Sequence, residues 1–188
     1  MWRLLILASI LPITAALFSR WRFGLRVLAE IGDRPCRCDL DSWLPAPGDT
    51  AVIHRAEESA AEFGRQLRLK ALAEWREHDP KAAMARENSR RFGIAVPPFS
   101  GIVSLLAVIV AKIPMIGAIT VVLAATALSS AVGLLALPPE LKAIARTARK
   151  SREANSFPHR DDEDAVIRCA VAYAWKEALP PILSSLQR

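Results

Sequence analysis

Three histidines, His54, His78 and His159, lie on different stretches of the chain, so imidazole chemistry would need the fold to gather them. His54 is followed by Arg-Ala-Glu-Glu. Arg55 thus stands where an H-E-x-x-H helix carries its general base, and Glu58 where it carries its second ligand. One helical turn apart, His54 and Glu58 supply two corners of a metal site at best, and they read equally as a solvated helix face. Cys36-Arg37-Cys38 has no second pair nearby. Thiols so close join only in a strained disulfide, so both read as free in a reducing compartment. Cys169 falls on an apolar face and reads as a small core residue. The sequence has no Walker loop, no G-x-G-x-x-G, no G-x-S-x-G and no basic stripe interleaved with aromatics. Nucleotide use, hydrolase chemistry and nucleic-acid binding therefore have no positive support, and no cofactor is called for.

The elements available to position these residues are dominated by apolar runs. Between Gly93 and Glu140 the one formal charge is Lys112. On either side of it, Ile94 to Ala111 and Ile116 to Leu137 give roughly 27 and 33 Å of helix, against a hydrocarbon core of ~30 Å. A buried hairpin in a water-soluble domain is the alternative, but a helix apolar all round must be surrounded on every side, and too little other chain remains to do it. Pro97 and Pro98 are expected to mark the start of the first of these spans. Hydroxyls at Ser104, Thr120, Thr126, Ser129 and Ser130 can bond back to their own helix. Ala125, Ser129 and Gly133 form a small-residue stripe suited to close helix packing. A third apolar segment opens the chain, from Leu4 to Phe18, with Trp2 and Trp21 at its ends where amphipathic rings prefer the membrane interface. It reads as a retained anchor. Thr14-Ala15-Ala16 would serve as a cleavage site were it a signal peptide, but Arg20, Arg22 and Arg26 follow at once and resist export.

The flanking charges give an orientation. Arg20, Arg22 and Arg26, then Arg86, Arg90 and Arg91, then Lys142, Arg146, Arg149, Lys150 and Arg152 lie on one side; Arg3 and Lys112 lie on the other. By the positive-inside rule the N-terminus faces out and the C-terminus faces the cytoplasm. Hydrophobic residues make up 52% of the chain and charged residues 23%, a mixture of greasy spans and charged connections. The net charge of +6 is concentrated beside the spans, where anionic headgroups attract each basic residue by roughly 1 kcal/mol. Arg outnumbers Lys 19 to 6 and Ala is abundant, as in GC-rich bacterial genomes. No ionisable residue sits in mid-span, which argues against a transporter.

The expected organisation is an all-α integral membrane protein with about three transmembrane helices plus amphipathic cytoplasmic helices. Its parts are an N-terminal anchor (1–19), a cytoplasmic loop and helices (20–92), a transmembrane hairpin (93–139) and a cytoplasmic tail (140–188). The stretch from Ile31 to Thr50 reads as loop. A long helix is expected to start at an Asp49 or Thr50 cap and to run to about His78, with Ile53, Ala56, Ala60, Phe63, Leu67, Ala71 and Trp75 on one face. Asp79-Pro80 reads as an N-cap and first turn of the next helix, a short one leading into the second span. After the third span a basic helix, an acidic loop and a last apolar helix, associated with the membrane or packed on other helices, are expected before Pro180 and Pro181.

From the third span onward the sequence reads LLALPPELKAIARTARK, an acidic loop, then DAVIRCAVAYAWKEALPPILSSLQR. This resembles the closing part of the bacterial membrane-bound neutral zinc metallopeptidases, in which a span ends in L-P-x-E before an Ala-containing helix, an acidic loop and an Ala-rich helix with an early Arg. The resemblance implies a zinc-ligand place for Glu140. The family's H-E-x-x-H helix is missing, so a kinship implies a shortened relative that has lost its metal site, or an atypical one drawing on His54, Glu58 and Glu140. The expectation from the residues themselves is not an enzyme but a structural or interaction component of a bacterial inner membrane. Its partners would be anionic lipid headgroups and other membrane proteins or a second copy of itself, with no nucleic acid.

Overall fold

A computed structural model describes residues 2–39, 56–110 and 112–179. The chain is mostly helical, and three of its helices are long and apolar enough to cross a membrane. The first, α1 (Trp2–Ser19), does not stop at the arginines. It passes through a π-helical stretch, Arg20–Leu25, into α2 (Arg26–Ile31), where Arg26 and Glu30 pair one turn apart at 2.6 Å.

The expected loop contains a strand. β1 (Pro35–Arg37) pairs antiparallel with β2 (Glu57–Ser59), Cys36 opposite Glu58, and Arg37 bonds Glu57 across the ribbon. The chain remains mostly helical, and the ribbon corrects only the expected loop, because strands of three residues are too short for an alternating pattern to announce them. The ribbon also moves the start of α3 (Ala60–His78). Its N-cap is Ser59, whose Oγ accepts from Glu62 N at 3.3 Å, and Ala56 precedes the ribbon outside the helix. Asp49, Thr50, Ile53 and His54 lie outside the described residues. The expected face holds from Ala60 onward: Ala60, Phe63, Leu67, Ala71 and Trp75 are all buried.

Asp79 does start α4 (Pro80–Ile109), its Oδ1 accepting from Ala82 N at 3.0 Å. The helix then runs unbroken through Pro97 and Pro98, which therefore do not begin a new helix. A proline removes one backbone donor and crowds the preceding turn, which bends a helix without obliging it to end. After α5 (Met115–Leu135) the chain turns at Ala136 into α6 (Leu137–Glu153), with Pro138 and Pro139 in the first turn where donors are not needed. The last helix, α7 (Arg160–Glu177), begins within the expected loop and takes Asp161, Asp162 and Glu163 into its first turn, where a helix N-terminus favours negative charge.

The chain divides into two compact units. One takes Met1–Arg20, Ala85–Ala136 and Glu177–Arg188; the other takes Trp21–Met84 and Leu137–Lys176. In the first unit α1 packs along α5. The Trp2 ring lies against Gly117, while Ala16 clusters with Leu134 and Leu179, so the two helices run parallel. Burial here is inverted relative to a water-soluble core. Ser9, Ala16, Ser104, Thr120, Ser129 and Ser130 are buried, whereas Leu4, Leu11, Ile102, Leu105, Ile109, Leu128 and Leu135 are exposed. The hydroxyls satisfy themselves on their own helices: Ser9, Thr120, Thr126 and Ser130 donate to the carbonyls four residues back at 2.7–2.8 Å.

The second unit has the ordinary polarity. Phe63 and Leu67 of α3, Ile144 of α6, and Val166 and Cys169 of α7 are buried, with Phe63 edge-on to Phe157. Gly64 sits so close to α7 that a Cβ on it would lie 2.6 Å from the Cys169 Cβ. The last helix therefore packs into this unit rather than standing free.

Candidate functional site

Among the described residues three arginines are buried, Arg20, Arg68 and Arg86, and each is differently surrounded. Arg68 lies on α3 one residue after Leu67, on the stripe that faces α6. Its Nε and Nη2 approach Glu140 Oε1 at 2.8 and 2.7 Å, with the two side chains 10% and 1% exposed. Glu140 is in the first turn of α6, where the helix dipole also favours a carboxylate. Arg68 was not among the residues singled out by sequence. Its signal is an arginine set within an apolar stripe, a place that asks for a buried acid.

Arg86 and Ser89, on successive turns of α4, serve the end of α5. Arg86 Nη1 donates to Gly133 O at 3.2 Å and Ser89 Oγ to Val132 O at 3.3 Å. The last carbonyls of a helix are short of intrahelical donors; Val132 O accepts from Ala136 N at 3.0 Å, and the two α4 side chains add donors at Val132 and Gly133. Gly133, from the expected packing stripe, is buried against the Ala178 carbonyl, and a Cβ there would collide with it. Of the other two stripe residues, Ser129 is buried, its Oγ without a hydrogen-bond partner among the described residues, and Ala125 is half-buried.

Arg20 opens the π-helical stretch at the end of α1. It is 6% exposed, and its Nε and Nη1 are buried with no hydrogen-bond partner among the described residues. In the first unit the end of α1 and the end of α5 lie at the same end of the parallel pair, which is also where α4 brings Arg86.

The residues considered for zinc are not drawn together by anything the structure displays. Glu140 is held by Arg68. Glu58 sits on β2, its Oε1 accepting from Ser59 N at 3.2 Å, and His54 is outside the described residues. Among the described residues no group of three or more His, Cys, Asp or Glu is placed to hold a metal. His78 bonds the Glu74 carbonyl of its own helix at 3.0 Å.

Cys36, Cys38 and Cys169 are free and buried. Cys36 Sγ points at the Arg34 and Asp162 carbonyls, and Cys38 Sγ at the Asp39 carbonyl. Burial, reinforced by the Asp162 charge, pushes Cys36 up to about 11; burial pushes Cys38 up to about 12 and Cys169 up to about 11. Thiols so shifted are protonated at neutral pH and make poor nucleophiles. Asp162 ties β1 to α7, accepting from Arg34 Nη2 at 3.1 Å and from Arg37 N at 3.3 Å. Arg152 holds Glu163 and Asp164 at 2.9 and 3.2 Å. A cleft between α3 and α6, floored by Trp75 and rimmed by Lys150 and Arg146, encloses about 80 Å³, well below the ~300 Å³ at which small-molecule sites begin.

Together these observations define a class: a helical chain in which one unit is an inside-out apolar bundle and the other is a charged, conventionally packed helical unit. No family model, no curated protein and no solved structure matches the chain.

Proposed function

We propose that the chain is a multi-pass protein of a bacterial inner membrane that acts as a structural or interaction component rather than as an enzyme. The observation that carries this is the inverted burial of the first unit. Large side chains such as Leu105, Leu128 and Leu135 face outward while small and hydroxyl residues face inward. In water so much contiguous apolar surface would aggregate; against acyl chains it is at no disadvantage, and small residues then let helices approach closely. The parallel course of α1 and α5 is the one that three successive spans require. The positive-inside rule, applied to the basic residues beside these helices, supports an N-terminus outside and a C-terminus in the cytoplasm. The polar surface of the second unit, laced with ion pairs such as Lys150 to Glu74 at 2.8 Å, is then what a cytoplasmic partner or a second copy would meet.

The test is fractionation followed by labelling. The protein should resist alkaline extraction from membranes, and a Lys112→Cys variant should react with an impermeant maleimide from the periplasmic face of intact spheroplasts. Release at high pH, or labelling only after lysis, would overturn the reading.

A further inference from the structure

Among the described residues Arg20 has no counter-charge. Burying guanidinium N–H groups without hydrogen bonds is costly, so an anion that reached them would stabilise the chain. Arg20 Nε and Nη1 are both buried and, among the described residues, unpartnered. No acidic residue precedes Glu30 in the sequence, so the helix that carries Arg20 has no carboxylate of its own to offer for two turns on either side.

The position of Arg20 narrows what that partner is. The 18 residues of α1 rise about 27 Å, close to the ~30 Å of a hydrocarbon core, and Arg20 is the first residue beyond them. Phe18, Trp21 and Phe23 around it in the chain are 60%, 49% and 45% exposed, rings of the kind that settle at headgroup level. The backbone there is π-helical, a rare form that recurs where a helix is adapted to a ligand. A phosphate oxyanion matches a guanidinium with two charge-assisted hydrogen bonds, and shielding from water strengthens both.

We propose that Arg20 binds the phosphate of an anionic phospholipid headgroup, making this turn of the helix a lipid site rather than a passive anchor. The inference rests on the membrane reading above and adds a specific ligand to it.

The experiment follows thermal unfolding of the full chain in detergent, titrated with phosphatidylglycerol in mixed micelles or with inorganic phosphate. Wild-type protein should gain about 5 °C in Tm at saturating phosphatidylglycerol and nothing from millimolar phosphate. Arg20→Met removes the unpaired charge, so without lipid it should be at least as stable as wild type, yet its Tm should not respond to phosphatidylglycerol. Arg22→Gln should respond like wild type. A full lipid response in Arg20→Met, or an equal response of wild type to inorganic phosphate, overturns the proposal. If Arg20→Met does not accumulate, Arg20→Lys decides: a response at most half that of wild type supports the site, and an undiminished one overturns it. Recovery of the protein in the soluble fraction would remove the membrane reading itself, whereas a membrane-bound chain whose Arg20→Met variant keeps the full lipid response removes this inference alone.

Discussion

Arg68 and Glu140 close a two-point ion pair between α3 and α6, with the carboxylate 1% exposed. Seventy-two residues separate them in sequence. The pair therefore staples the helix that precedes the apolar hairpin to the helix that follows it, within one compact unit.

Removing one partner leaves the other charged, buried and alone. Arg68→Ala and Glu140→Ala should each lose about 3–5 kcal/mol in denaturant unfolding, while Arg68→Met with Glu140→Leu should lose less than either single change. Strictly additive losses would show that the two side chains do not act as a pair.

The same geometry bears on zinc. Arg68 competes with any metal for the Glu140 carboxylate, and among the described residues no group of three His, Cys, Asp or Glu gathers to hold one, so metal analysis of detergent-purified protein should find no stoichiometric zinc. Zinc present in wild type and absent from Glu140→Ala would instead favour the metallopeptidase resemblance and call for a peptidase assay.

Three raised thiol pKa values make a pH prediction. Cys36, Cys38 and Cys169 rise from an ordinary 9.0 to about 11, 12 and 11, so between these limits the folded chain holds protons that the unfolded chain has released. Their contribution to stability is complete below pH 9 and drains away as pH climbs from 9 towards 12. Tm should fall over that window, less steeply in Cys169→Ala, and a thiol reagent at pH 8 should find these residues unreactive until the protein is unfolded.

Two glycines should respond in opposite directions. A Cβ at Gly64 would lie 2.6 Å from the Cys169 Cβ and 2.8 Å from Ala170 N, whereas one at Gly101 would meet nothing within 4 Å. Gly64→Ala should lose about 1–3 kcal/mol or more, because backbone must move. Gly101→Ala should be neutral or gain about 0.5–1 kcal/mol from helix propensity. Equal effects on unfolding would contradict the close α3–α7 crossing.

What the sequence by itself determined are the features set by neighbours along the chain. The apolar runs, the Asp79-Pro80 helix start, the stripe from Ala60 to Trp75 and the basic residues flanking each apolar run all follow from local spacing, because helix periodicity and run length act over a few turns. What only the tertiary structure decided are the features set by residues far apart. The ribbon joining Pro35–Arg37 to Glu57–Ser59 is one, and with it the cap at Ser59. The continuation of α4 through Pro97 and Pro98 is another, as are the Arg68 partner of Glu140, the donors that Arg86 and Ser89 bring to the end of α5, and the lack of a partner for Arg20 among the described residues. Each depends on which surfaces meet. A one-dimensional pattern can say that a charge is flanked by apolar residues, but only packing determines whether water, an opposite charge or nothing in the protein reaches it.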